Sequence, residues 1–159
     1  MLEELKFHHI GVACKNIEKE FSYFSTLGYK ASDKIFIDEI QKIKGLFIEA
    51  PNQPRLELLE NLTPDGPLTN FLAKGNKFYH LAYETLNIEE DAKKLCAQGA
   101  IIIKPSVPAT YFNKVCFLML KNMLMIELVE KKITHSLEKT NKINRLHDVG
   151  GGKSDNNLF

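Results

Sequence analysis

Two histidines and two glutamates lie in otherwise apolar stretches, and their residue types suit the coordination of a metal ion. His9 stands in FHHIGVA and His80 in FYHLAYE, while Glu57 in RLELLE and Glu127 in MIELVE each lie between aliphatic residues. A carboxylate inside an apolar strand is costly to bury unless it is paired or coordinated. Together the four side chains form a mononuclear N₂O₂ ligand set that leaves positions for water or substrate.

The four residues occupy equivalent positions in an internal repeat. FHHIGVACKNIE aligns without a gap with FYHLAYETLNIE, which matches His9 with His80 at an offset of 71 residues. RLELLE aligns with MIELVE, which matches Glu57 with Glu127 at an offset of 70 residues. Two matches in the same order at nearly the same offset indicate a duplicated unit. Each copy therefore contributes one histidine and one glutamate to a pseudo-twofold site.

Each copy has the pattern of a β-α-β-β-β unit. After the first apolar strand, Asn16 or Asn87 is placed to cap a helix, and Gly28 or Gly99 follows that helix where a left-handed residue is needed. Strands are predicted over residues 7–14, 29–37, 41–50 and 55–60 in the first copy and over 78–85, 100–105, 114–120 and 124–130 in the second.

This pattern predicts a single α+β domain over residues 1–130, followed by a polar C-terminal tail over 131–159 that can be part helical. Within the domain we expect module one at 5–60, a linker at 61–76 with a short helix near 68–74, and module two at 77–130. The GGGKS segment of the tail lacks the spacing of a phosphate-binding loop.

The alternation of side chains along a strand predicts what surrounds the site. His8 is expected to point away from His9, and Glu60 and Glu130 are expected to face solvent. Lys44 and Lys114 could meet a carboxylate or phosphate of a ligand, although a solvated position is the simpler interpretation. The space between the ligands is expected to be lined by Phe7, Phe47 or Leu46, Phe112 and Phe117.

Composition excludes several classes of partner. The net charge is +1, with 21 basic and 20 acidic residues spread along the chain, so neither nucleic acid nor an anionic membrane is a favoured partner. No apolar run approaches the roughly 20 residues that span a bilayer, and the N-terminus does not resemble a signal peptide. The three cysteines lack paired spacing and lie in apolar runs, so we expect buried free thiols and a cytoplasmic location.

With these residues, the chain resembles the vicinal oxygen chelate superfamily, also called the glyoxalase/bleomycin-resistance fold, and within it the methylmalonyl-CoA epimerases. The likeness is carried by HHIGVACKNIE, RLELLE, GPLTNFLAKGNKFYHLAYET and FLMLKNMLMIELVE, which cover most of residues 6–130. The resemblance implies two βαβββ modules that form an eight-stranded half-open barrel with the helices outside. It assigns the roles of metal ligand to His9, Glu57, His80 and Glu127.

The resemblance also implies an activity. The expected protein is a metal-dependent isomerase or epimerase that acts through an enolate on an acyl-CoA or related thioester, with Co, Mn, Zn or Ni as the divalent ion. A homodimer is compatible with this family. Two alternatives remain open, namely a glyoxalase I-type lyase with the same ligands and a non-catalytic small-molecule-binding or resistance protein. The complete His/Glu set argues against the binding protein.

The acid/base groups of such an epimerase are incomplete in this chain. Inversion of a carbon through an enolate needs one acid/base group on each face, and Glu127 is one candidate. The epimerases carry a Glu-Gln pair before the second ligand, whereas the segment DEIQKIKG supplies Gln41 for the glutamine and Ile40 for the glutamate. Asp38 or Glu39 could replace the missing acid through a shifted register.

Overall fold

The computed structural model describes residues 5–133, which form one mixed sheet of nine strands together with three helices. The strands are β1 (Lys6–Ala13), β2 (Lys30–Ala31), β3 (Phe36–Asp38), β4 (Ile43–Glu49), β5 (Leu56–Asn61), β6 (Phe78–Glu84), β7 (Ile101–Pro108), β8 (Lys114–Met119) and β9 (Met125–Glu130). The helices are α1 (Ile17–Ser25), α2 (Thr69–Ala73) and α3 (Ile88–Ala97).

The predicted α+β fold with an open sheet is confirmed, although the sheet has nine strands rather than eight. The single strand expected over residues 29–37 is divided into β2 and β3, which both pair with β4. Between them lie Ser32 and Asp33, and the Asp33 side chain accepts a hydrogen bond from the next backbone N–H, as turn-forming residues do. The predicted helix within the tail lies outside the described residues.

Strand pairing brings the four predicted ligands to the centre of the sheet. The strand order is β2-β4-β5-β1-β6-β9-β8-β7. The first strand of each unit pairs in parallel with the last strand of the same unit, β1 with β5 and β6 with β9, and the two units meet at the antiparallel β1–β6 pair. The four strands that carry the ligands, β5, β1, β6 and β9, are therefore consecutive neighbours.

The helix ends follow the sequence signals. The Asn16 and Asn87 side chains accept hydrogen bonds from first-turn amides of α1 and α3 at 2.8 and 3.0 Å. Gly28 and Gly99 have φ angles of 90° and 92°, in the left-handed region that favours glycine. Glu60 also serves α1, since its carboxylate accepts from the first N–H of the helix at 2.9 Å. The expectation that Glu60 is merely solvated is therefore wrong.

The two faces of the sheet have different apolar partners. One face packs against α1 and α3, where Val12 and Leu46 belong to the cluster beneath α1. The opposite face carries a cluster with Phe47, Phe112 and Phe117 around the four ligand residues. The cysteines are free thiols, two of them buried. Within residues 5–133, no helix has the length and apolar character needed to cross a membrane.

Asp38 connects the two outer parts of the sheet. Its Oδ1 accepts from the backbone N–H of Gln41 at 2.8 Å, while its Oδ2 accepts from the Gln41 side chain at 3.2 Å and from the Thr110 backbone N–H at 2.8 Å. Asp38 is 1% exposed, so these donors replace water almost completely. The β3–β4 turn of one unit is thereby held against the β7–β8 loop of the other.

Replacement of Asp38 by asparagine tests this connection. The amide has one acceptor oxygen, so at least one of the buried N–H groups loses its partner, and we expect Asp38→Asn to lower the free energy of unfolding by about 1–3 kcal/mol. Urea unfolding measures the difference. Glu39→Gln removes the same charge from the adjacent exposed residue and is expected to leave stability unchanged. Equal stability of both variants would contradict the assigned role.

Candidate metal centre

Four buried side chains place their donor groups around one point. His9, Glu57, His80 and Glu127 are 0%, 5%, 4% and 3% exposed, and one donor atom from each lies within 4.8 Å of the others. The strand register explains the convergence. Gly11 of β1 is the pairing partner of both Glu57 and His80, while Ala82 of β6 is the partner of both His9 and Glu127. The repeat thus places the two histidine–glutamate pairs symmetrically about the β1–β6 contact.

The separations between donor atoms match the edges of a metal coordination sphere. His9 Nε2 lies 3.0 Å from Glu57 Oε2, 3.1 Å from His80 Nε2 and 3.3 Å from Glu127 Oε2. His80 Nε2 lies 3.0 Å from Glu127 Oε2 and 3.5 Å from Glu57 Oε2. With ligand bonds of roughly 2.0–2.1 Å, neighbouring donor atoms are about 3.3 Å apart in a tetrahedral site and about 2.9 Å apart in an octahedral one.

The hydrogen-bond inventory also fits a cation. The two histidine Nε2 atoms face each other, and two imidazole nitrogens can share a hydrogen bond only if one of them is deprotonated. Glu127 Oε2 is buried without a partner in hydrogen-bond geometry among the described residues. With both imidazoles neutral, the two carboxylates carry two negative charges, which one divalent ion balances. The residues present therefore suit the predicted divalent metal.

In the metal-free protein the four groups shift one another's protonation. Burial lowers the pKa of His80, but the Glu127 and Glu57 carboxylates together outweigh burial and raise this pKa to about 9. Burial also lowers the pKa of His9, and the same two carboxylates together raise it. Burial raises the pKa of Glu127, yet His80 and His9 together lower it to about 2. A protonated imidazole thus supplies positive charge to the carboxylates when no metal is bound.

Aromatic rings and one glycine fix the orientation of the histidines. The Phe112 ring stacks on His9 at a centroid distance of 6.0 Å and an interplanar angle of 5°, and the Phe47 ring meets it edge-on at 5.1 Å. His80 packs directly over Gly11, where any Cβ would overlap the imidazole. Each ring therefore has little freedom to turn away from the shared point.

His8 lies beside His9 rather than pointing away from it, so that prediction is wrong. A β-bulge in β1 lets Phe7 and His9 pair with consecutive residues of β6, and the extra residue, His8, shares the His9 side of the strand. The Nδ1 atoms of His8 and His9 are 2.8 Å apart, and Arg55 lies 3.3 Å from the other nitrogen of His8. His8 is not one of the four grouped ligand residues.

A cavity of about 340 Å³ opens directly onto the cluster. Of the predicted aromatic lining, Phe117 contributes to its wall, whereas Phe47 and Phe112 pack against His9. Leu46 faces the α1 side, and Phe7 is 49% exposed on the surface, which corrects both expectations. The wall consists of Gln41, Ile43, Glu57, Leu59, Pro67, Tyr79, His80, Ile103, Lys104, Phe117, Met125 and Glu127.

The segment before β4 supplies an amide to this cavity but no carboxylate. Gln41 lines the wall, and its side chain donates a hydrogen bond to Asp38. Asp38 itself is buried against N–H donors, while Glu39 and Ile40 are exposed. None of these three residues lines the cavity. The shifted register that could have replaced the missing acid is therefore not present.

Two lysines considered as ligand contacts are paired within the protein instead. Lys44 Nζ lies 2.8 Å from Glu60, and Lys114 Nζ lies 2.9 Å from Glu89. A third lysine, Lys104, lines the cavity, although the sequence pattern gives no sign of it. The pairing of β7 with β8 is irregular on both sides of Lys104, so side chains of β7 do not alternate regularly between the two faces of the sheet. The position of Lys104 along the strand therefore does not predict which face it occupies.

Comparison with known proteins agrees with this fold. Residues 8–117 match the family model of the glyoxalase/bleomycin resistance protein/dioxygenase superfamily. The chain belongs to this superfamily. It is 30% identical over 133 residues to the uncharacterized protein YqjC of Bacillus subtilis, an alignment that covers 80% of this chain and 93% of YqjC.

Solved structures show the same fold. The hypothetical protein BH1468 of Bacillus halodurans is 27% identical, with a TM-score of 0.72 over 84% of this chain and 99% of that one. A methylmalonyl-CoA epimerase of Streptomyces coelicolor, solved in complex with 2-nitronate-propionyl-CoA, is 22% identical, with a TM-score of 0.69 over 82% of this chain and 100% of that one. At this identity the epimerase likeness establishes the fold alone.

The shifted protonation of the cluster predicts that metal binding releases protons. His80 is protonated in the metal-free protein until the pH approaches about 9, and a metal binds only the neutral imidazole. At pH 7 we expect at least one proton to leave per ion bound, and metal affinity should rise with pH up to about 9. Titration calorimetry in buffers of different ionisation enthalpy measures this number. Binding at pH 7 without proton release would contradict the assignment.

The same pKa shift predicts the stability of the metal-free protein. Because the folded-state pKa of His80 is raised from 6.5 to about 9, its contribution to stability is complete below pH 6.5 and is lost as the pH rises through about 9. We therefore expect the melting temperature of the metal-free protein to fall between pH 7 and 9.5. Saturation with metal should remove this fall. An unchanged pH dependence after metal loading would contradict the assignment of the fall to His80.

Gly11 offers a test that leaves all four ligands in place. A methyl group there must displace the His80 ring, so we expect Gly11→Ala to weaken metal affinity roughly tenfold or more. The neighbouring substitution Val12→Ala, on the α1 side of β1, should lower stability but leave metal affinity near the wild-type value. Equal metal affinities for wild type and Gly11→Ala would refute the role of this close packing.

Proposed function

We propose that the protein is a metal-dependent isomerase of the epimerase type, which removes and returns the α-proton of an acyl-CoA or related thioester. The observation that carries this proposal is the buried cluster of His9, Glu57, His80 and Glu127 at the base of an accessible cavity. A purely structural cluster would gain nothing from an opening to solvent. A ligand set that faces a cavity is typical of metals that act on substrates.

The cavity suits the acyl end of such a substrate. Its volume of about 340 Å³ is near the lower limit of small-molecule sites, so the acyl group would lie inside and the bulky carrier outside. Ile43, Leu59 and Phe117 provide an apolar wall for a short aliphatic chain. The fold neighbours support the same substrate class, since one epimerase was solved with methylmalonyl-CoA and another with 2-nitronate-propionyl-CoA.

The four ligands would hold the metal, and cavity residues would handle the proton. A divalent ion bound there would polarise a substrate carbonyl and stabilise the negative charge that develops when the α-proton leaves. Glu127 lines the cavity and is ionised at neutral pH, and its carboxylate would accept that proton. Gln41 cannot titrate, but its amide is anchored on Asp38 and retains an oxygen and one N–H to orient the substrate.

Metal analysis tests the ligand set. We expect the purified protein to bind one divalent ion, with Mn, Co, Zn and Ni as candidates. Glu57→Gln or His80→Ala should weaken binding at least tenfold, since each removes a donor and leaves its partners uncompensated. Glu130→Gln, at the end of the β9 strand that carries Glu127, is the matched control and should bind normally. If the wild type binds no divalent ion, both metal-dependent functions fail and a binding protein remains.

Isotope exchange tests the reaction. Metal-loaded protein incubated with methylmalonyl-CoA in D₂O should introduce deuterium at the α-carbon, as detected by mass spectrometry. Removal of the metal with a chelator should abolish exchange, and restoring the metal should recover it. Metal binding without exchange on this or other acyl thioesters would contradict the epimerase proposal. A glyoxalase I-type lyase would then be tested with a thiol–aldehyde adduct as substrate.

A further inference from the structure

Lys104 stands at the end of a row of residues that includes a proposed ligand. In the sheet register Lys104 of β7 pairs with Phe117 of β8, Phe117 pairs with Glu127 of β9, and Glu127 pairs with Ala82 of β6. Two strand spacings separate Lys104 from Glu127, roughly 10 Å between backbones. The long stem of a lysine crosses much of this distance, and both residues line the same cavity.

The β-bulge of β7 directs this lysine inward. Regular alternation would place Ile103 and Lys104 on opposite faces, yet both line the cavity, because pairing is irregular between Ile102 and Lys104 and again between Lys104 and Val107. Lys104 is half-buried, and among residues 5–133 it makes no ion pair. A half-buried ammonium on a cavity wall that has no ion-pair partner in the described residues is available to contact a bound ligand.

The partial burial of Lys104 favours the loss of a proton from its ammonium group. Burial lowers its pKa, while Asp38 from β3 and Glu127 from β9 act in the opposite direction. The remaining ionisable side chain of the wall outside the ligand cluster is the phenol of Tyr79 from β6, which carries no positive charge. Lys104 is thus the one cationic side chain among the described residues of the cavity wall that lie outside the ligand cluster.

We propose that Lys104 is the second acid/base residue of the reaction, the partner of Glu127. This inference rests on the proposed function. The α-carbon–hydrogen bond of the substrate breaks and its proton passes to the Glu127 carboxylate. One N–H bond of the Lys104 ammonium then breaks and a new carbon–hydrogen bond forms on the other face of the carbon. The protonated Glu127 and the neutral Lys104 return to their starting states by proton exchange with water.

The reverse reaction uses the same two groups with their roles exchanged, and no electrons are transferred in either direction. Proton transfer between carbon and a positioned lysine needs an amine that can lose its charge, which arginine cannot do under these conditions. This difference separates a proton donor from a fixed positive charge that merely attracts an anionic substrate.

Two substitutions of Lys104 in the metal-loaded protein test the proposal. Lys104→Met retains the apolar stem without a titratable group, and Lys104→Arg retains the charge. We expect both to reduce inversion of methylmalonyl-CoA at least about 100-fold. Deuterium exchange from D₂O into the epimer whose proton faces Glu127 should continue in both variants. Lys114→Met, on the adjacent strand and paired with Glu89, should behave as wild type.

Metal affinity provides a readout that is independent of turnover. Calorimetry should give both Lys104 variants the wild-type metal affinity, whereas a weakened affinity would assign Lys104 a structural role and overturn the proposal. Retained inversion in Lys104→Arg would show that only the charge matters, and retained inversion in Lys104→Met would exclude any role, so either result overturns it. A wild-type protein that binds metal but exchanges no proton is a different failure, because it removes the proposed function itself.

Discussion

Two carboxylates buried in the middle of a β-sheet are the constraint on which the site depends. Glu57 and Glu127 are almost inaccessible to water, and the groups able to compensate their charge are the facing imidazoles of His9 and His80 or a bound cation. The antiparallel β1–β6 pair brings the two half-sites together, and neither unit alone would assemble four donors. The buried carboxylates therefore have their charge compensated only when the two units pair and bring the four side chains together.

The ligands are symmetric but their surroundings are not. His9 has a neighbouring imidazole at its second nitrogen, supplied by His8, whereas Nδ1 of His80 has no hydrogen-bond partner among the described residues. Tyr79 occupies the repeat position of His8 and lines the cavity instead. Duplication thus preserved the donors while the residues around them diverged.

The proposed metal ligands and the residues proposed to act on a substrate come from different parts of the chain. The donors come from the four central strands, which are held by pairing on both sides. The groups that would orient a substrate or carry its proton come from the outer strands and turns, with Gln41 before β4 and Lys104 in β7. Asp38 holds these two regions in register, since it binds both the turn of Gln41 and the loop after β7. Under the proposed function, changes in the outer strands would alter the contacts to the substrate and leave the four candidate ligands in place.

The sequence by itself determined which four residues are the candidate ligands, because the repeat offsets and the isolated polar residues in apolar strands need no knowledge of packing. It also determined the helix starts at Asn16 and Asn87. Only the tertiary structure decided which neighbours reach the site. His8 and Lys104 are directed toward it by β-bulges, and a bulge changes strand parity through pairing with a partner strand that is distant along the chain. The four candidate ligands follow the regular alternation of side chains along their strands. The orientation of His8 and Lys104, in contrast, depends on how the strands pair.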